Sequence, residues 1–344
     1  MQELDSKLNQ KPQVNLSRPT AVRMWLVCFC ALAAVIQSSL TDRGSSVEIA
    51  LVAFGSAVFA ELLISYRART QGGIPGSGVH HNRIADGSAA ASALVLTLLL
   101  PNTIHPVYAG FGAAFAMAVI KYSFGGLGSN WVNPALGGWL FIRFSWPAAF
   151  ENVPDGLASG GWPGLDTAVS SFLNSRVFSL TGSELPAGYI DRLFFTVPGI
   201  IADRGLCALL FGTILITASQ VNRSWIPAAY LGLYALLIRV FGAFAEGGAL
   251  GEGDILFGFF SGGTIATAFL LAADPATGAK SDAGMLAAVI LGAVFSFVFR
   301  YAGGEVYGAF FAIALVNALM PLIRSIENWK LYFGAGDNRE GKDL

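Results

Sequence analysis

Apolar residues in this chain come in long runs separated by short polar ones, and the runs set the first expectation. They cover about 24 to 40, 47 to 66, 88 to 104, 107 to 123, 131 to 146, 205 to 219, 225 to 245, 255 to 273, 284 to 300 and 304 to 323. Each is near the length a helix needs to cross a bilayer at about 1.5 Å per residue. The pattern predicts an all-α polytopic membrane protein with about ten transmembrane helices. Two runs strain that reading. The run 88 to 104 contains Pro101 and could pair with 107 to 123 as a re-entrant segment, and 131 to 146 is short and ends at Trp146-Pro147.

The stretch Gly125-Gly126-Leu127-Gly128-Ser129-Asn130-Trp131-Val132-Asn133-Pro134-Ala135 puts flexible backbone and two carboxamides between apolar segments. Lipid cannot satisfy exposed peptide groups, so a break here must be buried in protein or line a wet cavity. Glycines allow positive φ and close approach, Asn130 and Asn133 can donate and accept, and Pro134 suits the first turn of a new helix. Broken helices of this kind often form transporter binding sites. An ordinary loop between two spans is the competing reading.

Charge orients the chain. With the N-terminus inside, Lys7, Lys11, Arg18, Arg23, Arg67, Arg69, Arg83, Lys121, Arg223, Lys280, Arg324, Lys330, Arg339 and Lys342 fall on the cytoplasmic side. The outer side then holds Arg43, Arg176, Arg192, Arg204 and Arg300. By the positive-inside bias, both termini are expected in the cytoplasm. Four regions follow: a first membrane repeat at 1–146, an outer loop at 147–204, a second membrane repeat at 205–330 and a cytoplasmic tail at 331–344. Each repeat has about five spans and a Gly-rich break, Gly125 to Pro134 in one and Ser261-Gly262-Gly263 with Asp274-Pro275 in the other. An odd number of spans per half would invert one half relative to the other.

Composition removes other classes. The chain is 54% hydrophobic and 12% charged, with a net charge of −1, which leaves no footprint for nucleic acid. Cys28, Cys30 and Cys207 sit in apolar runs, so no disulfide framework or zinc site is expected. The polar first 20 residues lack the apolar core of a removable signal peptide. His80, His81 and His105 lie in loops, which gives no support for haem ligation between facing spans.

Ionisable groups in spans are costly and by default suggest a pathway or a pair. Glu48, Glu61, Arg143 and Arg239 lie within spans, and Asp86, Lys121, Asp254 and Asp274 at their ends. Arg143 and Arg239 can snorkel, and Lys121 and Glu48 sit close to interfaces. Asp86, Asn130, Asn133 and Asp274 are the expected frame of a polar ion route, with Phe269 and Leu270 as an apolar seal. Asp274-Pro275-Ala276-Thr277-Gly278 also reads as a plain turn ending a helix.

With these residues in hand, the chain resembles the RnfD/NqrB family. That family comprises a membrane component of the Rnf ion-translocating electron-transport complex and its relative in the sodium-pumping NADH:quinone reductase. The resemblance covers about residues 15 to 330. It rests on Gly125 to Ala135, close to that family's GGLGxNxxNPA, on Asp86-Gly87-Ser88-Ala89, and on Asp274-Pro275-Ala276-Thr277. The short N-terminal extension favours the Rnf branch.

The resemblance implies two inverted five-helix repeats with broken helices, similar to urea transporters, in a bacterial inner membrane. It implies a component of a translocase of the ferredoxin:NAD type, not catalytic alone, that relays electrons and couples them to Na⁺ or H⁺ movement. Implied partners are a second flavin-bearing subunit, small membrane subunits and a flavin transferase. FMN is implied on the outer loop through a phosphoester, with room for a second, noncovalent flavin. The family's attachment motif resembles SGATPL. Here Ala168-Val169-Ser170-Ser171-Phe172-Leu173 stands nearest, departs from it at several positions, and puts Ser171 in the acceptor place beside Ser170 and Thr167. A flavin-free scaffold subunit and a urea-type passive solute channel are the alternatives.

Overall fold

The computed structural model describes residues 20–40, 42, 44–70, 86–123, 130–151, 165–176, 189, 193, 199–219, 223–245 and 247–340, with backbone only at 20, 68–70, 165–167 and 328–340. The glycine run Gly125 to Ser129, the histidines His80 and His81, and Gly160, Gly161 and Gly164 lie outside the described residues.

The first half holds α1 (Thr20–Ser39), α2 (Ser45–Thr70), α3 (Ser88–Leu99), α4 (Pro106–Phe115, continued by a π-helical turn Ala116–Lys121) and α5 (Pro134–Ser145). Then come α6 (Leu165–Arg176), α7 (Leu206–Ala218) and α8 (Trp225–Leu237). The chain ends with α9 (Ile255–Phe259), α10 (Thr264–Ala266, continued by a π-helical turn Thr267–Ala272), α11 (Asp282–Phe297) and α12 (Gly308–Glu340). Ala21–Ser39, Ser45–Arg67, Trp225–Ala245, Asp282–Ala302 and Gly308–Glu327 are long and apolar enough to cross a membrane, and shorter apolar helices pack among them. The chain is a polytopic all-helical membrane protein. The region 331–344, expected as a tail, continues α12 as helix to Glu340.

Two expected spans are broken. α3 is 12 residues, about 18 Å at 1.5 Å per residue, too short for a bilayer of about 30 Å. It stops because Pro101 disfavours helical φ/ψ at Leu100, which is extended at φ −90°, ψ 151°. The freed backbone is satisfied within the protein: Pro101 and Ile200 form an isolated antiparallel bridge, the Ile201 amide donates to the Leu100 carbonyl at 2.9 Å, and the Asn102 amide to the Gly199 carbonyl at 3.0 Å. The run 255 to 273 is interrupted at Gly262 and Gly263, with φ of +68° and +66°.

Small residues set the packing. α4 and α5 cross so closely at Gly112 and Gly138 that a Cβ on Gly138 would lie 2.6 Å from the Gly112 carbonyl oxygen. Buried Trp139 of α5 packs edge-on against Phe310 and Phe311 of α12, with ring centroids at 5.2 and 5.1 Å, and so ties the two halves together. Arg204 and Arg300, expected as outer charges, are buried. Arg204 Nε donates to Ser38 Oγ at 3.2 Å, and Arg300 Nη2 donates to Ser261 Oγ at 3.0 Å.

Candidate functional site: a polar cavity between two helix breaks

A cavity of about 340 Å³ lies where α1, the start of α3, the end of α4, the start of α5 and the end of the α10 segment meet. Its polar lining is Arg23, Ser88, Ser92, Lys121, Asn130, Asn133 and Asp274, and Phe269 and Leu270 form part of its apolar wall.

The N-terminus of α5 supplies one side. Asn133 is its N-cap, with Oδ1 accepting from the amides of Ala135 at 3.0 Å and Leu136 at 3.4 Å, and Pro134 follows at the first turn. That leaves the amide nitrogen of Asn133 free to reach across, where it donates to Asp274 Oδ2 at 2.8 Å. Asp274 Oδ1 accepts from the Ala276 amide at 3.0 Å, so the turn-forming role expected of this residue and its contact with Asn133 occur together. Buried Asn130 completes this side.

The start of α3 supplies the other side. Gly87, at φ +74°, begins the helix, and Asp86 Oδ1 accepts from the Ser88 amide at 2.8 Å and from Ser88 Oγ at 2.6 Å. Lys121 Nζ donates to Ser88 Oγ and to Glu61 Oε1, each at 2.6 Å, and Tyr122 OH donates to the same Glu61 oxygen at 2.5 Å. A cation beside a helix N-terminus meets the positive end of the peptide dipoles, and the Glu61 carboxylate offsets that repulsion. The other Glu61 oxygen is buried with no hydrogen-bond partner among the described residues.

Of the four residues expected to frame an ion route, Asn130, Asn133 and Asp274 line the cavity together. Asp86 does not line it and connects to it through Ser88 and Lys121. Lys121 corrects the expectation of an interface lysine, because it is 3% exposed and ion-paired to Glu61. The signal in the sequence is a lysine ending an apolar run directly beside the glycine break, four residues from Gly125. Arg143, expected to snorkel, is partly buried and reaches Glu305 at 3.4 Å.

The hydroxyls at the expected flavin position lie on α6 instead of in irregular loop. Ser171 is exposed, while Ser170 is 6% exposed with its hydroxyl buried and unpartnered among the described residues. Thr167 is helical, with its side chain outside the described residues. An acceptor hydroxyl must be reachable by a transferring enzyme, and of the two serines Ser171 is the exposed one.

The cavity groups are charged and hydrogen-bonding side chains that carry no redox couple of their own. A carboxylate and two carboxamides suit a small cation or a proton passing through a protein interior. The family model described as NQR2, RnfD, RnfE matches residues 7–332. The chain is similar to the D subunit of the proton-translocating ferredoxin:NAD(+) oxidoreductase complex of Clostridium ljungdahlii, 26% identical over 92% of both chains. It is also similar to the D subunit of the ion-translocating oxidoreductase complex of Shewanella amazonensis, 27% identical over 92% of this chain and 95% of the relative. The protein of the same name from Pseudomonas paraeruginosa is 30% identical over 70% of this chain and 73% of its own. With a match that runs through α1 to α12 and includes every cavity residue described above, the chain belongs to the NQR2, RnfD, RnfE family.

Proposed function

We propose that this chain is the membrane subunit of an Rnf-type redox-driven ion pump in which the Asn133–Asp274 cavity forms part of the ion route. Family membership over residues 7–332 carries its place in an ion-translocating oxidoreductase complex of the ferredoxin:NAD type. The observation that carries the route is the hydrogen bond between Asn133, at the N-cap of one interrupted segment, and Asp274, at the end of another. A carboxylate costs about 2.5 to 3.5 kcal/mol at a bilayer midplane on insertion scales, so one inside such a protein is expected to face a partner or a pathway.

The fold supports two inverted repeats of five spans, ten in all. Gly87 and Gly263 both begin short central helices with positive φ, and Ser88 and Thr264 follow them. α4 and α11 both end in π-helical turns that carry a buried cation, Lys121 and Arg300. Each cation bonds a serine at a break, Ser88 at the first residue of α3 and Ser261 three residues before α10. Gly87 and Gly263 therefore offer a matched pair of breaks beside the expected one, of Gly125–Pro134 with Ser261–Gly263 and Asp274-Pro275. Burial takes Arg204 and Arg300 out of the outer count and Lys121 out of the inner one, which leaves the positive excess that supports both termini in the cytoplasm of a bacterial inner membrane.

FMN bound to Ser171 would supply one-electron redox chemistry, which no side chain of the cavity supplies. The chain's own part is to present Ser171 on the exposed face of α6 and to hold the cation route among Asn130, Asn133, Lys121 and Asp274. The cavity volume of about 340 Å³ lies at the lower end of the range of organic-ligand pockets, which is compatible with a second, noncovalent flavin. The other subunits of the complex, including the second flavin-bearing one, supply the electron donor and acceptor sites.

The test is the Asp274→Asn variant of the whole complex reconstituted in vesicles, with ion uptake and electron transfer measured together. The expected result is electron transfer with a lowered ion-to-electron ratio. An unchanged ratio would remove Asp274 from the route and leave it as a turn residue. Solute uptake by the isolated chain would favour a passive channel instead.

A further inference from the structure

A second, larger cavity of about 810 Å³ shares Arg23 and Asp274 with the first and opens beside the start of α8 and α11. Its cations are Arg23, Arg223, Lys280 and Arg324, and its one acidic side chain is Asp274. Asp282 pairs with Arg223, and Glu327 accepts from the Lys280 and Ser281 amides and lies close enough to interact with Arg324, so Arg23 and Lys280 are the two cations with no side-chain ion pair among the described residues. Arg324 is held in place by donating to the carbonyls of Thr277 at 3.3 Å and Gly278 at 2.7 Å. The deeper wall is apolar, with Ile226, Val289, Ile313 and Val316.

A basic rim alone would be ordinary at the cytoplasmic end of a membrane protein. The wall contains an independent signal. Asn317 is 3% exposed, lines this cavity, and its amide nitrogen has no hydrogen-bond partner among the described residues. Pro321, four residues on in the same helix, has no N–H, so the Asn317 carbonyl also lacks its helical donor. A buried unpaired amide is unfavourable, and a bound polar group would supply its missing partner.

We propose that this vestibule binds one anionic phospholipid, with its phosphate among Arg23, Lys280 and Arg324, a headgroup or ester oxygen on the Asn317 amide, and acyl chain along the apolar wall. The combination of cationic rim and apolar depth selects an amphiphile over a free anion. Leu286, Ile290, Leu322 and Ile326 on α11 and α12 are exposed, which puts lipid beside these two helices. Because Arg23 lines both cavities, the phosphate offsets a positive charge near Asp274 and eases approach of a cation to the proposed route. Binding is measured apart from pumping, so failure of one reading does not decide the other.

The experiment is native mass spectrometry of the whole complex, delipidated and returned to nanodiscs of phosphatidylcholine with or without phosphatidylglycerol, and separately supplied with inorganic phosphate. The expected result is one retained phosphatidylglycerol per complex that R23Q/K280Q weakens about tenfold or more. Asn317→Leu is expected to weaken retention while leaving thermal stability equal or higher, since it removes an unpaired amide. Retention unchanged in both variants would overturn the site. Phosphatidylcholine retained equally would overturn selection by charge, and displacement by inorganic phosphate would overturn the lipid as occupant in favour of a free anion.

Discussion

Lys121 and Glu61 are 60 residues apart in sequence and 2.6 Å apart in the fold, with side-chain exposures of 3% and 1%. The pair joins the end of α4 to the middle of α2, and through Ser88 it fixes the start of α3. Removing one member of a buried pair leaves the other charged and alone, at a cost of about 3 to 5 kcal/mol. Lys121→Met and Glu61→Gln are each expected to lower the thermal midpoint of the purified complex, and Lys121→Met/Glu61→Gln to recover a large part of the loss. A double variant as unstable as the sum of the single ones would mean that the two groups do not stabilise one another.

Ser171 is expected to carry the flavin. Denaturing gels of the subunit, expressed with its transferase, should fluoresce in the wild type, in Ser170→Ala and in Thr167→Ala, but not in Ser171→Ala. The intact mass should exceed that of the bare chain by one FMN phosphoester in the same three proteins. Fluorescence that persists in Ser171→Ala would move the bond to a neighbour, and a wild type with no increment would favour the flavin-free scaffold.

Gly138→Ala places a methyl 2.6 Å from the Gly112 carbonyl oxygen, where backbone must move. A loss of about 1 to 3 kcal/mol is expected. Gly55→Ala is the contrast, because nothing lies within 4 Å of its added methyl and alanine is the better helix former by about 0.5 to 1 kcal/mol. Thermal unfolding of the two variants side by side should show opposite signs.

The orientation is testable by labelling. With Cys28, Cys30 and Cys207 replaced, a membrane-impermeant thiol reagent applied outside should modify S175C, an exposed position on α6, and spare G72C. The reverse pattern would place α6 in the cytoplasm and invert the assignment of both termini.

The positions of the helices were legible in the sequence because lipid imposes a one-dimensional rule: a segment that crosses must be apolar for its length, whatever its neighbours. Five of the runs accordingly correspond to helices long and apolar enough to cross, and the others to shorter or interrupted helical segments. Asn133-Pro134 was legible as a helix start for a similarly local reason, since an N-cap bonds amides two and three residues away. Which polar groups meet was decided by the tertiary structure. Asn133 and Asp274 are 141 residues apart, and no local pattern encodes their contact. Lys121 has the spacing of an interface residue, and only the packing of α2 and α3 around it makes it a buried partner of Glu61 and Ser88. Ser170 and Ser171 are chemically identical neighbours in sequence, yet the helix turns one inward and the other to the surface, because successive residues on an α-helix point about 100° apart.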